Sequence, residues 1–395
     1  MPTTAQRLAT LEAFVAAQKT WNTKSNARHL ALEGKAHTHA APVPEPVPVP
    51  GPSYPPDTQL RAVATPTLPR PALGQSITDP VFFTRITCVA EAMRHNYAKI
   101  AAWNCDGSLI HLTSGNPDTI LDGRTYASLG QHSVPGEARW SNVDPDLIYG
   151  VRGDGGTTLM RYSVSRKSAE PIYAFGGTGQ VYIGPYEGNL SADDRYVVCT
   201  RDSHVWLVDT VARKIVSESD IGGGDYVSVS PSGKYVVLNK AGLHVYDLTM
   251  TQRLRTLTPI SAHADMGYDA AGNEVIVALT NPTVPMWRLD TGALTTLLPG
   301  GSAYGQGHVS LRNVKRPGWA YLSHYSANDG LKGGDQVVAV KLDGSGTVEV
   351  FGHAHHTATT YDSEPHACPS PDGSRVVFAS DWHGGPVGAF VASAA

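Results

Sequence analysis

The sequence predicts an all-β protein, a seven-bladed β-propeller, preceded by a short N-terminal coiled-coil helix and a Pro-rich linker. Three observations lead there. Glycine is abundant at 40 residues and charged residues make up only 17%, a profile of short strands joined by turns rather than of helices. A turn rich in Asp, Pro and Gly followed by an apolar, β-branched strand occurs seven times. The copies are spaced about 39 to 55 residues apart, the period of four-stranded blades.

The copies run in order from about residue 75 to the end. LIHLTS follows Cys105-Asp106-Gly107, and LIYGV follows Asp144-Pro145-Asp146. YVVCT follows Ala192-Asp193-Asp194, and YVVLN follows Pro231-Ser232-Gly233. EVIVAL follows Ala271-Gly272, WAYLS follows Arg316-Pro317-Gly318, and VVFAS follows Pro371-Asp372-Gly373. These read as the first strands of their blades, with HVWLVDT, HVYDLT, MWRLDT and VVAVKLDG as second strands. Too little chain follows VGAFVAS for another strand. The unassigned segment VFFTRITCV, residues 81–89, is therefore expected to complete blade seven from outside and remove its open edge.

Ahead of the propeller the chain divides in two. Residues 4 to about 33 predict a helix capped by Thr3 or Thr4, with Leu8, Leu11 and Val15 at heptad spacing. That stripe is too short for a lone helix in water. Two or three copies would cover it, with Gln18 and Asn22 as polar seam residues; docking on the main domain is the other reading. Lys35-Ala36-His37-Thr38-His39 follows, and on an extended chain His37 and His39 point the same way. Residues 1–40 are assigned to oligomerisation and attachment. Residues 42–71 hold eleven of the 28 prolines, so 41–74 is assigned to an extended spacer of roughly 3.1 Å per residue, and 75–395 to the propeller.

Composition excludes several functions. The net charge is −4 without a basic stripe, which argues against nucleic acid as a partner. No apolar run is long enough for a transmembrane helix. Arg7 and Glu12 interrupt the N-terminus, so no signal peptide is expected. Cys88, Cys105, Cys199 and Cys368 are scattered with no CxxC pair, and free buried thiols are expected.

The candidate chemistry lies in the last three blades. Eight of the sixteen histidines fall between His263 and the C-terminus. His263, His308 and His366 each stand where an innermost strand begins, so a propeller brings them to one axial site. His353, His355 and His356 sit in a Gly/Thr-rich loop and are expected on the exposed rim. Trp382 and His383 form a plausible sugar-stacking edge.

Two resemblances extend this reading. GHVSLRN with GWAYLS, and EPHACPSPDGSRVVFASDW, resemble the propeller polysaccharide lyases of the oligogalacturonate-lyase type over about residues 75–395. The resemblance implies a divalent metal, Zn or Mn, held by His308 and His366, with His263 suited to proton abstraction from uronic-acid glycans. Cys368 replaces a second histidine of that pattern, and Ser363 or Glu364 stands where it has glutamine, which favours binding over cleavage. Within this scheme Glu364 would complete the metal set, Arg312 would hold the substrate carboxylate, and Tyr304 or Tyr361 would protonate the leaving oxygen. The HxH motif resembles that of trimeric bacteriophage tail fibres, which implies iron or a similar ion at His37 and His39. A virion tail component is then expected: a homotrimer contacting other tail proteins and presenting the propeller to cell-surface polysaccharide. A stand-alone lyase, extracellular or periplasmic in a bacterium, is the alternative.

Overall fold

The computed structural model describes residues 60–393 apart from loop positions 114–117, 153–155, 185–186, 225, 260–262, 300–306 and 326–332. The expected coiled coil, the HxH motif and most of the Pro-rich linker lie outside the described residues. Among those residues the strands form seven antiparallel sheets in a ring, with no α-helix and one 3₁₀ turn at Tyr361–Ser363.

In six of the seven blades the repeated apolar run is the second strand, one step further out than the sequence suggested; in the first, Leu109–Leu112 opens a three-stranded sheet. In blade five, for example, the order from the channel outward is His263–Tyr268, Glu274–Leu279, Val284–Arg288 and Leu294–Leu298. Blade six runs Gly307–Ser310, Trp319–His324, Gln336–Lys341 and Val348–His353. Second strands are covered on both faces by neighbouring blades, so they read as unbroken apolar runs: five of the six residues of Glu274–Leu279 are buried. Outermost strands alternate instead, as Lys214–Ser219 does between exposed and half-buried positions. Several innermost strands are shorter, down to two residues at Tyr182–Ile183 and Cys368–Pro369, and escaped the repeat for that reason.

Turn chemistry sets the spacing. Gly373 has φ of 68°, and a Cβ there would lie 2.2 Å from the Tyr321 hydroxyl, which donates to the Gly373 carbonyl. Only glycine fits this crossing between blades six and seven.

Each gap between neighbouring blades holds its own apolar cluster. Val277, Leu297, Val309 and Leu322 fill the gap between blades five and six. Ile86, Phe351, Phe378 and Phe390 fill the next one. Ring closure follows the expected route with shifted bounds. Arg85–Glu91, rather than 81–89, pairs with Gly388–Ser393 through Ile86 with Ala392 and Cys88 with Phe390. Ser76–Thr78 adds a fifth strand outside it.

The linker also ends earlier than expected, because residues 60–74 dock on the propeller. Leu60 packs against the cluster between blades five and six, and Leu68 against the next. The Arg61 carbonyl accepts from Gly333 N and Gln336 Nε2, each at 3.1 Å. The Leu68 carbonyl accepts from Trp382 Nε1 at 3.0 Å. Proline removes backbone donors but leaves carbonyls free to accept, which suits this strap to polar side chains. All four cysteines are free, and three are buried, as expected.

Candidate metal centre

His263 opens the innermost strand of blade five, His308 is second in that of blade six, and His366 lies two residues before Cys368–Pro369 of blade seven. The ring brings all three together. His308 stacks on His263 with centroids 5.4 Å apart and lies 4.1 Å from the His366 ring. The 3₁₀ turn at Tyr361–Ser363 delivers Glu364, whose Oε2 is 2.9 Å from His308 Nε2 and 3.9 Å from His366 Nε2. One donor atom from each of His308, Glu364 and His366 lies within 4.8 Å of the others.

The hydrogen bonds set the protons. His366 Nε2 donates to the Tyr361 carbonyl at 3.0 Å, so Nδ1 keeps its lone pair, buried and with no hydrogen-bond partner. His263 Nδ1 donates to the Gly307 carbonyl at 2.7 Å, which leaves Nε2 as the basic nitrogen on an exposed ring. Burial drives the pKa of both His308 and His366 well below the ordinary histidine range, so both are neutral imidazoles, the form that binds metal. Burial raises the Glu364 carboxyl above its usual range, partly offset by nearby His263. Two neutral imidazoles beside one carboxylate form a donor set that fits Zn²⁺ or Mn²⁺.

Three channel residues were missed in the sequence: His95, Tyr97 and Lys99, just before blade one. All three are buried, and their i, i+2, i+4 spacing in HNYAK was the available signal. His95 Nε2 is 2.6 Å from the His366 carbonyl. The Tyr97 hydroxyl lies 3.2 Å from His308 Nδ1 and also bonds to Glu187. Glu187 in turn pairs with Lys99, whose ammonium stands 4.2 Å from the centre of the Tyr226 ring. With Tyr97 donating to Glu187, His308 Nδ1 donates to Tyr97 and Nε2 faces Glu364, which presents that nitrogen to a metal.

Other expectations are corrected. Arg312 is not free to hold a substrate carboxylate. Its Nε and Nη2 grip Asp265 at 3.1 and 2.9 Å, and Nη2 also donates to the Met266 carbonyl. The buried carboxylate two residues beyond His263 takes up the guanidinium. Trp382 offers no face to a sugar: it is 6% exposed, with His355 stacked at 4.3 Å and Phe390 at 4.8 Å. His383 is exposed, with Nε2 3.3 Å from His355 Nδ1. His353, His355 and His356 are buried rather than on the rim, because Asp79, Asp335 and Trp382 cover them.

Tyr361 does stand at the site. It is 57% exposed, and its ring lies 4.7 Å from His366. Cys368 is fully buried, with Sγ 3.4 Å from the Ile100 carbonyl, so its thiol is taken up away from the cluster. Ser363 is buried and its hydroxyl donates to the Thr360 carbonyl at 2.8 Å, closing the turn that carries Glu364. Tyr304, His37 and His39 lie outside the described residues.

Fold and site together define a seven-bladed propeller with a histidine–carboxylate cluster where its late innermost strands begin. No family model matches the chain, and no curated protein matches its sequence. Among solved structures it is similar to an oligogalacturonate lyase in complex with manganese, with TM-score 0.61 and 15% identity over 81% of this chain and 96% of that one. It is also similar to an oligogalacturonate lyase from Vibrio parahaemolyticus, with TM-score 0.60 and 11% identity over 81% and 96%. A chain of the mitotic checkpoint complex matches at TM-score 0.54 and 14% identity over 84% and 97%. At these identities the likeness is one of fold.

Proposed function

We propose that the propeller binds uronic-acid polysaccharide at the His263–His308–His366 cluster and cleaves it by β-elimination. One observation carries the reading: a neutral His308/His366 pair and Glu364, within 4.8 Å of one another, lie beside a histidine whose basic Nε2 is exposed. His308, Glu364 and His366 would hold a divalent metal, manganese or zinc, which would supply the positive charge that makes the C–H next to a carboxylate acidic. His263 Nε2 takes that proton, the C–H electrons form the new double bond, and the C–O bond breaks with its pair leaving on oxygen. Tyr361 keeps its proton at neutral pH and gives it to that oxygen.

The test is absorbance of the unsaturated product from uronic-acid polymers, with and without EDTA. The expected signal vanishes with chelator and in His308→Ala. Glycan binding without elimination would reduce the site to an adhesin, and neither binding nor elimination would sink the reading.

The N-terminal sequence supports a second, compatible reading. We infer that the chain is a virion tail component, in which residues 4–33 assemble a homotrimer and contact other tail proteins. His37 and His39 would bind iron or a similar ion, and the propeller would meet cell-surface polysaccharide. A free extracellular or periplasmic bacterial lyase is the alternative setting.

A further inference from the structure

Arg312 is taken up by Asp265, but a second guanidinium stands beside the cluster with a partner it can give up. Arg94 comes just before the channel residues His95, Tyr97 and Lys99. Its Cζ is 5.7 Å from the centre of the Tyr361 ring, and the same ring lies 4.7 Å from that of His366. Guanidinium and histidine cluster therefore share one phenol. Arg94 Nη1 donates to the His95 carbonyl at 2.9 Å and to the Asn96 carbonyl. Those backbone acceptors hold the side chain whatever carboxylate meets its other edge.

That edge meets Asp362, on the 3₁₀ turn between Tyr361 and Ser363. Arg94 Nε and Nη2 both donate to Asp362 Oδ1, at 3.0 and 2.6 Å. A guanidinium matches a carboxylate best when two parallel N–H groups meet two oxygens. Here one oxygen takes both, and Oδ2 accepts no hydrogen bond among the described residues. The Asp362 side chain is 67% exposed against 17% for Arg94. An ion pair open to solvent on one side contributes little, so another carboxylate can replace Asp362 at small cost. The Asp265–Arg312 pair, almost wholly buried, offers no such exchange.

We propose that Arg94 is a specificity-determining residue. It binds a second uronate carboxylate of the glycan, next along the chain from the one at the metal, and Asp362 is the carboxylate it releases. This rests on the reading of the cluster as a site for uronic-acid polysaccharide, and it adds a preference for consecutive acidic sugars.

The experiment is calorimetric titration of the full-length protein with a galacturonate trimer and Mn²⁺, in a His263→Ala background so that no product forms. Asp362→Ala should tighten trimer binding about 2- to 5-fold, the gain from freeing an exposed pair. Arg94→Met should weaken it about 10- to 100-fold, as expected for lost hydrogen bonds to a charged group. Adding Asp362→Ala to Arg94→Met should change nothing further, because the two side chains act as one unit. Asp220→Ala removes an equal charge, 77% exposed beside His204 in blade three, and should bind as the background does. Asp362→Ala and Asp220→Ala carry the test if Arg94→Met fails to fold. Unchanged or weaker binding in Asp362→Ala overturns the proposal, as does an equal gain in Asp220→Ala or in the Arg94→Met background. Unchanged binding in a folded Arg94→Met overturns it too. Trimer binding with these shifts but no elimination once His263 is restored overturns the lyase reading alone. A protein that does not bind the trimer overturns both.

Discussion

Arg312→Met separates a structural guanidinium from a substrate-binding one. Asp265 is wholly interior, and burial raises its carboxyl pKa even with Arg312 beside it pulling the other way. Their side chains are 10% and 4% exposed, so solvent screens the pair little. Removing one partner of such a pair leaves an uncompensated buried charge and costs about 3–5 kcal/mol. For a domain of this size that is a fall in Tm of roughly 4–7 °C. Removing both charges, as in Asp265→Leu with Arg312→Met, should recover only part of the loss, since the uncompensated charge is gone but the Leu311 and Met266 N–H groups that Asp265 accepts from are left unpaired, at about 1–3 kcal/mol each.

The pH dependence has a definite sign. A carboxyl whose folded pKa lies above its unfolded value binds protons more tightly when folded, so its ionisation opposes folding. Stability is regained as pH falls through the folded pKa, and without Arg312 that pKa rises further. The gap between Arg312→Met and the parent should therefore be smaller near about pH 5 than near about pH 8. Thermal melts of the parent, the single and the double variant across that range measure it. A loss below about 1 kcal/mol, where an exposed pair would fall, would refute the buried-pair argument. So would a gap that widens as pH falls.

Other consequences follow from the same geometry. His263→Ala should keep glycan affinity while turnover falls at least about 100-fold, because a base acts on the transition state; binding isotherms beside product absorbance test this. Ile86→Ala in the closing strand should cost about 2–5 kcal/mol, since Ile86 is fully buried between blades six and seven; a change under about 0.5 kcal/mol in denaturant melts would contradict the closure. Deleting residues 1–59 should leave a folded monomer, while deleting 1–74 should lower Tm by removing the Leu60, Thr65 and Leu68 contacts. Light scattering of the full-length chain should report a trimer, and a monomer would remove the support for a tail fibre.

The propeller was legible in the sequence because its signals are local. Asp-Pro-Gly turns and apolar second strands are each written within ten residues, and seven copies at one period leave little freedom of architecture. The turns that precede each repeated run put His263, His308 and His366 at matching places in successive blades, which is why the sequence alone brought them to one site, although the innermost strands themselves went unread. What those side chains touch depends on contacts across the ring. Tyr97 meets His308 from 211 residues away, Asp79 meets His353 from 274, and Thr65 meets Asp335 from 270. No window of sequence holds both members of such a pair. A Gly/Thr-rich loop with three histidines looked exposed because nothing nearby could cover it; a strap, an Asp and a Trp from elsewhere do. Arg312 looked available until Asp265, from the preceding blade, neutralised it. Local propensity thus determined the blades and the histidine positions. Burial and pairing, which decide which groups stay charged and which lone pairs stay open, were determined only by the closed ring.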